Sequence, residues 1–274
     1  MLAPIVLWLL VFQVAPLFLV VVVSFATRGR YGGVVWEFGL HNYVRFFDPL
    51  YLEILADSFL VAGLTTAVAL LVGYPFAYYV ASRPPGQRYL LLLLVVIPFW
   101  TNMLIRTYAW IVILRTNGLL NNALMALGLI DQPVQLLYTR TAAILGLVYV
   151  LFPFMVLPLY ASIEKLDPRL VRAAQDLGAS PVQSFLRVIL PVTMPGVIAG
   201  SIMVFIPALA LFFVTDLLGG AQSFLIGNLI HRQFTQARDW PFGAAASVVL
   251  TAVSLLLIFV YVRFFSPKDE EEWL

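Results

Sequence analysis

EKLDPRLVRAAQDLGASPVQSFLRVILP, residues 164–191, is the most charged stretch of an otherwise apolar chain. Asp167 followed by Pro168 reads as an N-cap and a first helical residue: the carboxylate accepts from a free backbone N–H, and proline has none to leave unsatisfied there. Leu170, Ala174 and Leu177 then recur at helical spacing, with Arg169, Arg172, Gln175 and Asp176 on the other faces. Gly178 stands where a helix ends in a left-handed residue. Ser180 and Gln183 form a capping box around Pro181 and Val182, which restarts a helix. Phe185, Leu186, Val188 and Ile189 supply its apolar side, and Pro191 is expected to close it. The stretch predicts two short amphipathic helices bent at a glycine. Such a hairpin either rests on lipid headgroups or inserts a helix into the groove of a soluble partner.

Outward from this hairpin the chain loses its charge. Residues 141–163 on one side and 188–215 on the other carry none. About 20 apolar residues suffice for a helix to cross the hydrocarbon of a membrane. Further stretches meet that requirement at 1–27, 58–82, 89–114 (broken only by Arg106) and 240–262. The expected architecture is all-α, with spans near 3–24, 58–81, 89–114, 142–163, 195–215 and 243–264, in a single membrane domain over residues 1–274. Composition agrees. Hydrophobic residues make up 62% of the 274 and charged ones 11%, against roughly 25% charge in soluble domains. Met1 is followed at once by apolar residues, without the basic leader of a signal peptide. The first span is therefore expected to be a retained helix, with or without a short preceding tail. Six spans put both ends on one side. Eight basic residues fall on each side, but Arg83, Arg88, Lys165, Arg169, Arg172, Arg187, Arg263 and Lys268 sit in shorter segments, and that density marks their side as cytoplasmic.

Several function classes drop out. A net charge of +2 leaves no basic footprint for nucleic acid. The absence of cysteine removes thiolate chemistry. The only lysines, Lys165 and Lys268, lie in no phosphate-cradling loop, so any ATP must be hydrolysed by another subunit. The only histidines, His41 and His231, lie in no metal-binding or hydrolase motif. No catalytic residue, no metal site and no cofactor is expected.

The spacing Ala173-Ala174-x3-Gly178, nine residues, then Val188-x-Leu190-Pro191 resembles the cytoplasmic motif of binding-protein-dependent ABC importer permeases, E-A-A-x3-G-x9-I-x-L-P. Arg172 replaces the glutamate and Val188 the isoleucine. Further strings resemble the spermidine/putrescine-type permeases: Gly73-Tyr74-Pro75-Phe76-Ala77, Ile97-Pro98-Phe99-Trp100-Thr101-Asn102, Asn117-Gly118-Leu119-Leu120-Asn121, Asp216-Leu217-Leu218-Gly219-Gly220 and Arg238-Asp239-Trp240-Pro241-Phe242-Gly243 among them. The resemblance implies a type I ABC importer permease fold with a cytoplasmic coupling-helix hairpin over 164–191. It implies that Arg172, Ala173, Ala174, Asp176, Leu177, Gly178, Leu190 and Pro191 couple to the ATPase. Arg172 removes any ion pair that relies on the glutamate, but leaves the small-residue packing and the bend. The implied partners are a dimer of ABC ATPase subunits, a second homologous permease, an extracytoplasmic substrate-binding protein and membrane lipid, with no nucleic acid. The implied location is the bacterial inner membrane, with both termini cytoplasmic. The implied cargo is a polyamine; a permease of the same family for an opine, an oxyanion or a metal ion is the alternative.

Two places suggest a path. Pro98 interrupts the third stretch, and Trp100, Asn102, Arg106, Tyr108 and Trp110 follow. If a helix resumes after Pro98, Trp100, Leu104, Tyr108 and Ile111 share one face, and Asn102, Arg106 and Trp110 another. Either these aromatics line a cavity and hold ammonium groups by cation–π attraction, worth ~0.5–2 kcal/mol each, or they form an interfacial belt from which Arg106 reaches headgroups. Arg106 repels a polycation and is expected to pair with a carboxylate or a carbonyl. Asp216, the acid at the end of the fifth stretch, is either a path residue or a solvated helix end.

Overall fold

The computed structural model describes residues 3–265. Lys268 lies outside the described residues. The helices are α1 (Ile5–Ser24), α2 (His41–Phe46), α3 (Pro49–Ala81), α4 (Pro85–Val96), α5 (Met103–Leu114), α6 (Leu119–Ala126), α7 (Arg140–Glu164), α8 (Pro168–Asp176), α9 (Pro181–Ala210), α10 (Phe212–Leu218), α11 (Ile226–Thr235) and α12 (Trp240–Phe265). The β-structure among the described residues is an antiparallel pair of two-residue strands, β1 (Thr27–Arg28) and β2 (Val34–Val35), with Thr27 opposite Val35.

Five helices are long and apolar enough to cross a membrane: α1, α3, α7, α9 and α12. A broken pair, 85–100 and 103–126, bent by 96°, meets the same requirement when its two arms are counted as one span, which brings the number of crossings to six. The break follows from Pro98. The chain tightens into a 3₁₀ turn at Ile97–Trp100, Thr101 goes extended, and Asn102 caps α5 by accepting from the Leu104 N–H at 2.7 Å. Trp100 is therefore not part of α5, and the expected stripe Trp100–Leu104–Tyr108–Ile111 begins only at Leu104.

Apolarity and burial are decoupled here, as lipid-facing walls require. The apolar window of α1 has no buried residue, while that of α7 is 56% buried. Water would not tolerate the side chains of α1 in the open; hydrocarbon does.

Three boundaries differ from the sequence reading. α3 starts at Pro49 rather than near 58, because Glu53 and Asp57 end the apolar run but not the helix. Its 33 residues are about 50 Å long at ~1.5 Å per residue, well beyond the ~30 Å of hydrocarbon. Pro191 does not close the second hairpin helix: α9 runs from Pro181 through Pro191 and Pro195 into the span, reaching Ala210. The residues before Pro191, Phe185–Ile189, form a wide π turn in which the Leu190 N–H reaches back five residues to Phe185. The same device, at Leu10–Val14, precedes Pro16 in α1. A proline offers no N–H to the preceding turn and its ring presses on the carbonyl there; a wider turn relieves both. Finally, the fifth stretch is split. Leu211 leaves the helical region at ψ 70, and α10 follows. Here packing overrides local preference: a side chain at Gly146 of α7 would stand 2.3 Å from Leu218 and 2.8 Å from Val214 of α10.

The chain forms two compact units. One comprises residues up to Phe59 with Phe224–Leu257, the other Leu60–Ser223 with the residues from Ile258. The first is built on Phe46, Ile226, Leu229, Phe242 and Ala246, with Tyr51 and Leu55 against them. Asp239, 2% exposed, binds Arg45 at 2.8 Å, and the Arg45 guanidinium lies 4.0 Å over the Phe242 ring. Ser58 accepts from the Ile226 N–H at 2.8 Å, and Asn42 donates to the carbonyls of Ser24 and Ala26. In the second unit α9 lies against α7. A side chain at Gly196 would meet Ser162 at 2.4 Å and the Pro158 carbonyl at 2.7 Å, and one at Gly200 the Met155 carbonyl at 3.0 Å. Gly196-x-x-x-Gly200 is the small-residue spacing that lets two membrane helices approach closely.

Candidate functional site

The hairpin over 164–191 is assembled by local chemistry. Asp167 accepts from the Arg169 N–H at 2.9 Å and pairs with its guanidinium at 2.8 Å. These side-chain contacts with Arg169, then its backbone N–H, hold the Asp167 carboxyl below the usual aspartate range; Arg172 acts in the same direction. α8 ends in a Schellman motif: the Gly178 N–H reaches the Gln175 carbonyl at 2.9 Å and the Ala179 N–H the Ala174 carbonyl at 3.0 Å. Gly178 sits at φ +86 with nothing within 4 Å of where a Cβ would stand. The capping box is complete. Ser180 accepts from the Gln183 N–H at 3.3 Å, and the Gln183 side chain accepts from the Ser180 N–H at 2.9 Å.

The tip of this hairpin is exposed and apolar. Leu177 is 89% exposed, and Leu170, Val182 and Leu186 are also open. Arg172, Ala173 and Asp176 lie on exposed surface, with Ala174 half-buried. Leu190 and Pro191 fall on the continuous helix α9, so the return arm of the hairpin runs into a membrane span without a break in the helix.

That arm is tied to α3. Tyr74 and Thr193 share a buried hydrogen bond of 2.8 Å, Thr193 also donates to the Ile189 carbonyl, and the Phe185 ring stands edge-on to Tyr74 at 5.4 Å. At the other arm, Arg88 in the first turn of α4 pairs with Glu164 at the end of α7, 3.1 Å away. None of Tyr74, Thr193, Arg88 or Glu164 was singled out from the sequence. Tyr74 lay in a quoted string, but nothing local points to its partner 119 residues on.

The aromatic candidates are dispersed. Trp100 is 77% and Tyr108 56% exposed. Asn102 is committed to its cap. Trp110 packs edge-on against Tyr149, ring centres 5.6 Å apart. Asp216 is half-buried on α10. Arg106 has neither the carboxylate nor the carbonyl expected for its Nε and Nη1; it faces the rings of Phe99 and Tyr149 at 5.2 and 5.9 Å. Among the described residues no group of three or more His, Asp and Glu is placed to hold a metal.

Apolar spans, and a capped hairpin with an exposed apolar tip that continues into one of them, define a multi-pass membrane protein with a surface suited to a soluble partner. The sequence matches the family of binding-protein-dependent transport system inner membrane components over residues 69–268, and the chain belongs to that family. It is 51% identical over 263 residues to the spermidine/putrescine transport system permease protein PotB of Escherichia coli (strain K12), covering 96% of each chain. PotB of Haemophilus influenzae is 50% identical over 256 residues, covering 93% of this chain and 90% of that one. In fold the chain is similar to a bacterial ABC transporter involved in the import of the acidic polysaccharide alginate, with a TM-score of 0.74, 20% identity, and 96% and 93% of the two chains covered. An amino acid ABC transporter with histidines matches less closely, with a TM-score of 0.51, 16% identity, and 83% and 98% covered. The fold is that of type I ABC importer permeases, and the chain is a multi-pass inner-membrane transport component.

Proposed function

We propose that the chain, as one permease domain over residues 1–274, moves polyamines of the spermidine/putrescine type inward across the bacterial inner membrane. The observation that carries this is half-identity to spermidine/putrescine permeases along 96% of the chain. Hydrolysis belongs to a partner dimer of ABC ATPases, delivery to an extracytoplasmic binding protein, and the other half of the pathway to a second homologous permease. Both termini and the 164–191 hairpin face the cytoplasm, and no cofactor is bound by this chain.

The mechanism follows from the continuity of α9. Leu177 and its apolar neighbours enter the ATPase cleft, with Ala173 and Ala174 allowing close approach. A displacement of the hairpin passes along α9 without a hinge at Pro191 and reaches α3 through Tyr74–Thr193 and α7 through the Gly196 and Gly200 contacts. Arg172, in place of the family glutamate, calls for an acidic rather than a basic group on the ATPase. With Asn102 used as a cap and Trp110 packed on Tyr149, the path residues are Trp100, Tyr108 and Asp216, which hold ammonium groups weakly enough to release them.

The test is uptake of labelled spermidine by vesicles carrying this chain with its cognate permease, ATPase and binding protein. ATP-dependent uptake competed by putrescine, and not by an opine, an oxyanion or a divalent metal, is the expected result. Competition by one of those solutes in place of putrescine overturns the cargo assignment.

A further inference from the structure

The second unit holds a cavity of about 500 Å³, within the usual size of small-molecule sites, between α3, α4, α5 and α7. Its wall is almost wholly apolar, with Phe76, Phe99, Trp110, Phe152 and Tyr149 contributing rings and Arg106 the only charged side chain. Arg106 Nε and Nη1 are shielded from solvent and have no hydrogen-bond partner. The flanking rings of Phe99 and Tyr149 are poor substitutes for an anion: cation–π contact offsets part of the cost of burying a guanidinium, but saturates none of its N–H groups. Arg106 is in the first turn of α5, and the Tyr149 ring beside it belongs to the tenth residue of the 25-residue α7. The cavity opens sideways where Val72 and Leu94 are each 55% exposed.

We infer that this cavity is a binding site for an anionic lipid, whose phosphate pairs with Arg106 and whose acyl chain lies along the Val72–Phe76 and Leu94–Val95 walls. Charge decides between occupants. A polyamine is repelled by the guanidinium, and a neutral chain leaves Nε and Nη1 bare. A small soluble anion gains the ion pair but must enter through an apolar mouth. An anionic amphiphile supplies both the charge and the apolar length. The site is independent of the cargo, and its readout is lipid bound rather than solute moved.

The complete complex is reconstituted in nanodiscs of phosphatidylcholine with a minor share of phosphatidylglycerol, then extracted in mild detergent, and its retained lipids are counted by native mass spectrometry. The expected result is phosphatidylglycerol enriched about tenfold over its bulk share, the ratio one charge-assisted contact typically supports. Arg106→Gln should lose one phosphatidylglycerol per complex, and Arg106→Lys should retain part of it. Val72→Trp narrows the mouth with Arg106 untouched and should also lose it, which keeps the test decisive if Arg106→Gln fails to insert. Retention in the bulk ratio by the wild type, as when a partner helix fills the cavity, overturns the inference. So does undiminished phosphatidylglycerol in Arg106→Gln or in Val72→Trp.

Discussion

Gly178→Val isolates the conformation of the hairpin from its packing. At φ +86 an L-residue costs about 1–2 kcal/mol relative to glycine. No clash adds to this for the first carbon, because a Cβ at Gly178 has nothing within 4 Å. Gly178→Ala therefore reports the backbone term alone, and Gly178→Val adds the stiffness of a branched side chain. The cost falls on the turn that joins α8 to α9, not on any span, so insertion should be normal. A penalty of about 1–2 kcal/mol lowers the ratio of correctly formed to misformed hairpins roughly 5- to 30-fold. Uptake per inserted complex should fall, by at most that factor, in Gly178→Ala and be lost in Gly178→Val, with ATPase activity no longer stimulated by loaded binding protein. Gly63→Ala is the control: it also has open space, sits inside α3 without a positive φ, and should leave uptake unchanged. Normal uptake by Gly178→Val would mean that the turn can be rebuilt without consequence for coupling, and would remove Gly178 from the coupling element.

Four further outcomes are expected. Reporter fusions after Pro181 and after Lys268 should report cytoplasm and one near Asp131 the outside; a cytoplasmic signal at Asp131 would undo the six-span topology and the hairpin's role with it. Trp100→Leu and Asp216→Asn should lower the maximal rate of spermidine uptake per inserted complex, with Trp100→Phe milder; an interfacial belt predicts lower expression with unchanged transport per complex. Arg45→Met leaves the buried Asp239 carboxylate without its counter-charge and should destabilise its unit by about 3 kcal/mol, the low end for a broken buried pair because Arg45 is half-exposed, as read by thermal unfolding of the complex; adding Asp239→Asn, which keeps an acceptor for the Phe242 N–H, should recover most of it. Asp167, with its pKa held low, supports the hairpin above the unfolded carboxylate range and loses that support as pH falls through its folded value, so uptake between about pH 5 and 8 should not respond to Asp167 titration, which a profile of Asp167→Asn against wild type checks.

What could be read along the chain is what short-range chemistry decides. The hairpin was legible because caps are made between residues two or three apart: Asp167 with Arg169, Ser180 with Gln183, Gly178 closing onto Gln175. The spans were legible because lipid demands unbroken apolarity, and the interruption at Pro98 because proline forbids the next helical bond. Gly196-x-x-x-Gly200 is equally legible as a packing face, because the spacing of small residues is itself local. The tertiary structure alone decided the rest. Pro191 spares its helix because a wide turn precedes it, and α10 breaks away at Leu211, one turn after Pro207, and packs on Gly146. The partners of Tyr74 and Arg88, and the Tyr149 ring beside Arg106, lie far away in sequence and are brought together by helix packing. Local patterns specify which segments are helical and where they turn. Which side chains meet depends on the rotation and approach of whole helices, and that is a property of the packed unit rather than of any one stretch.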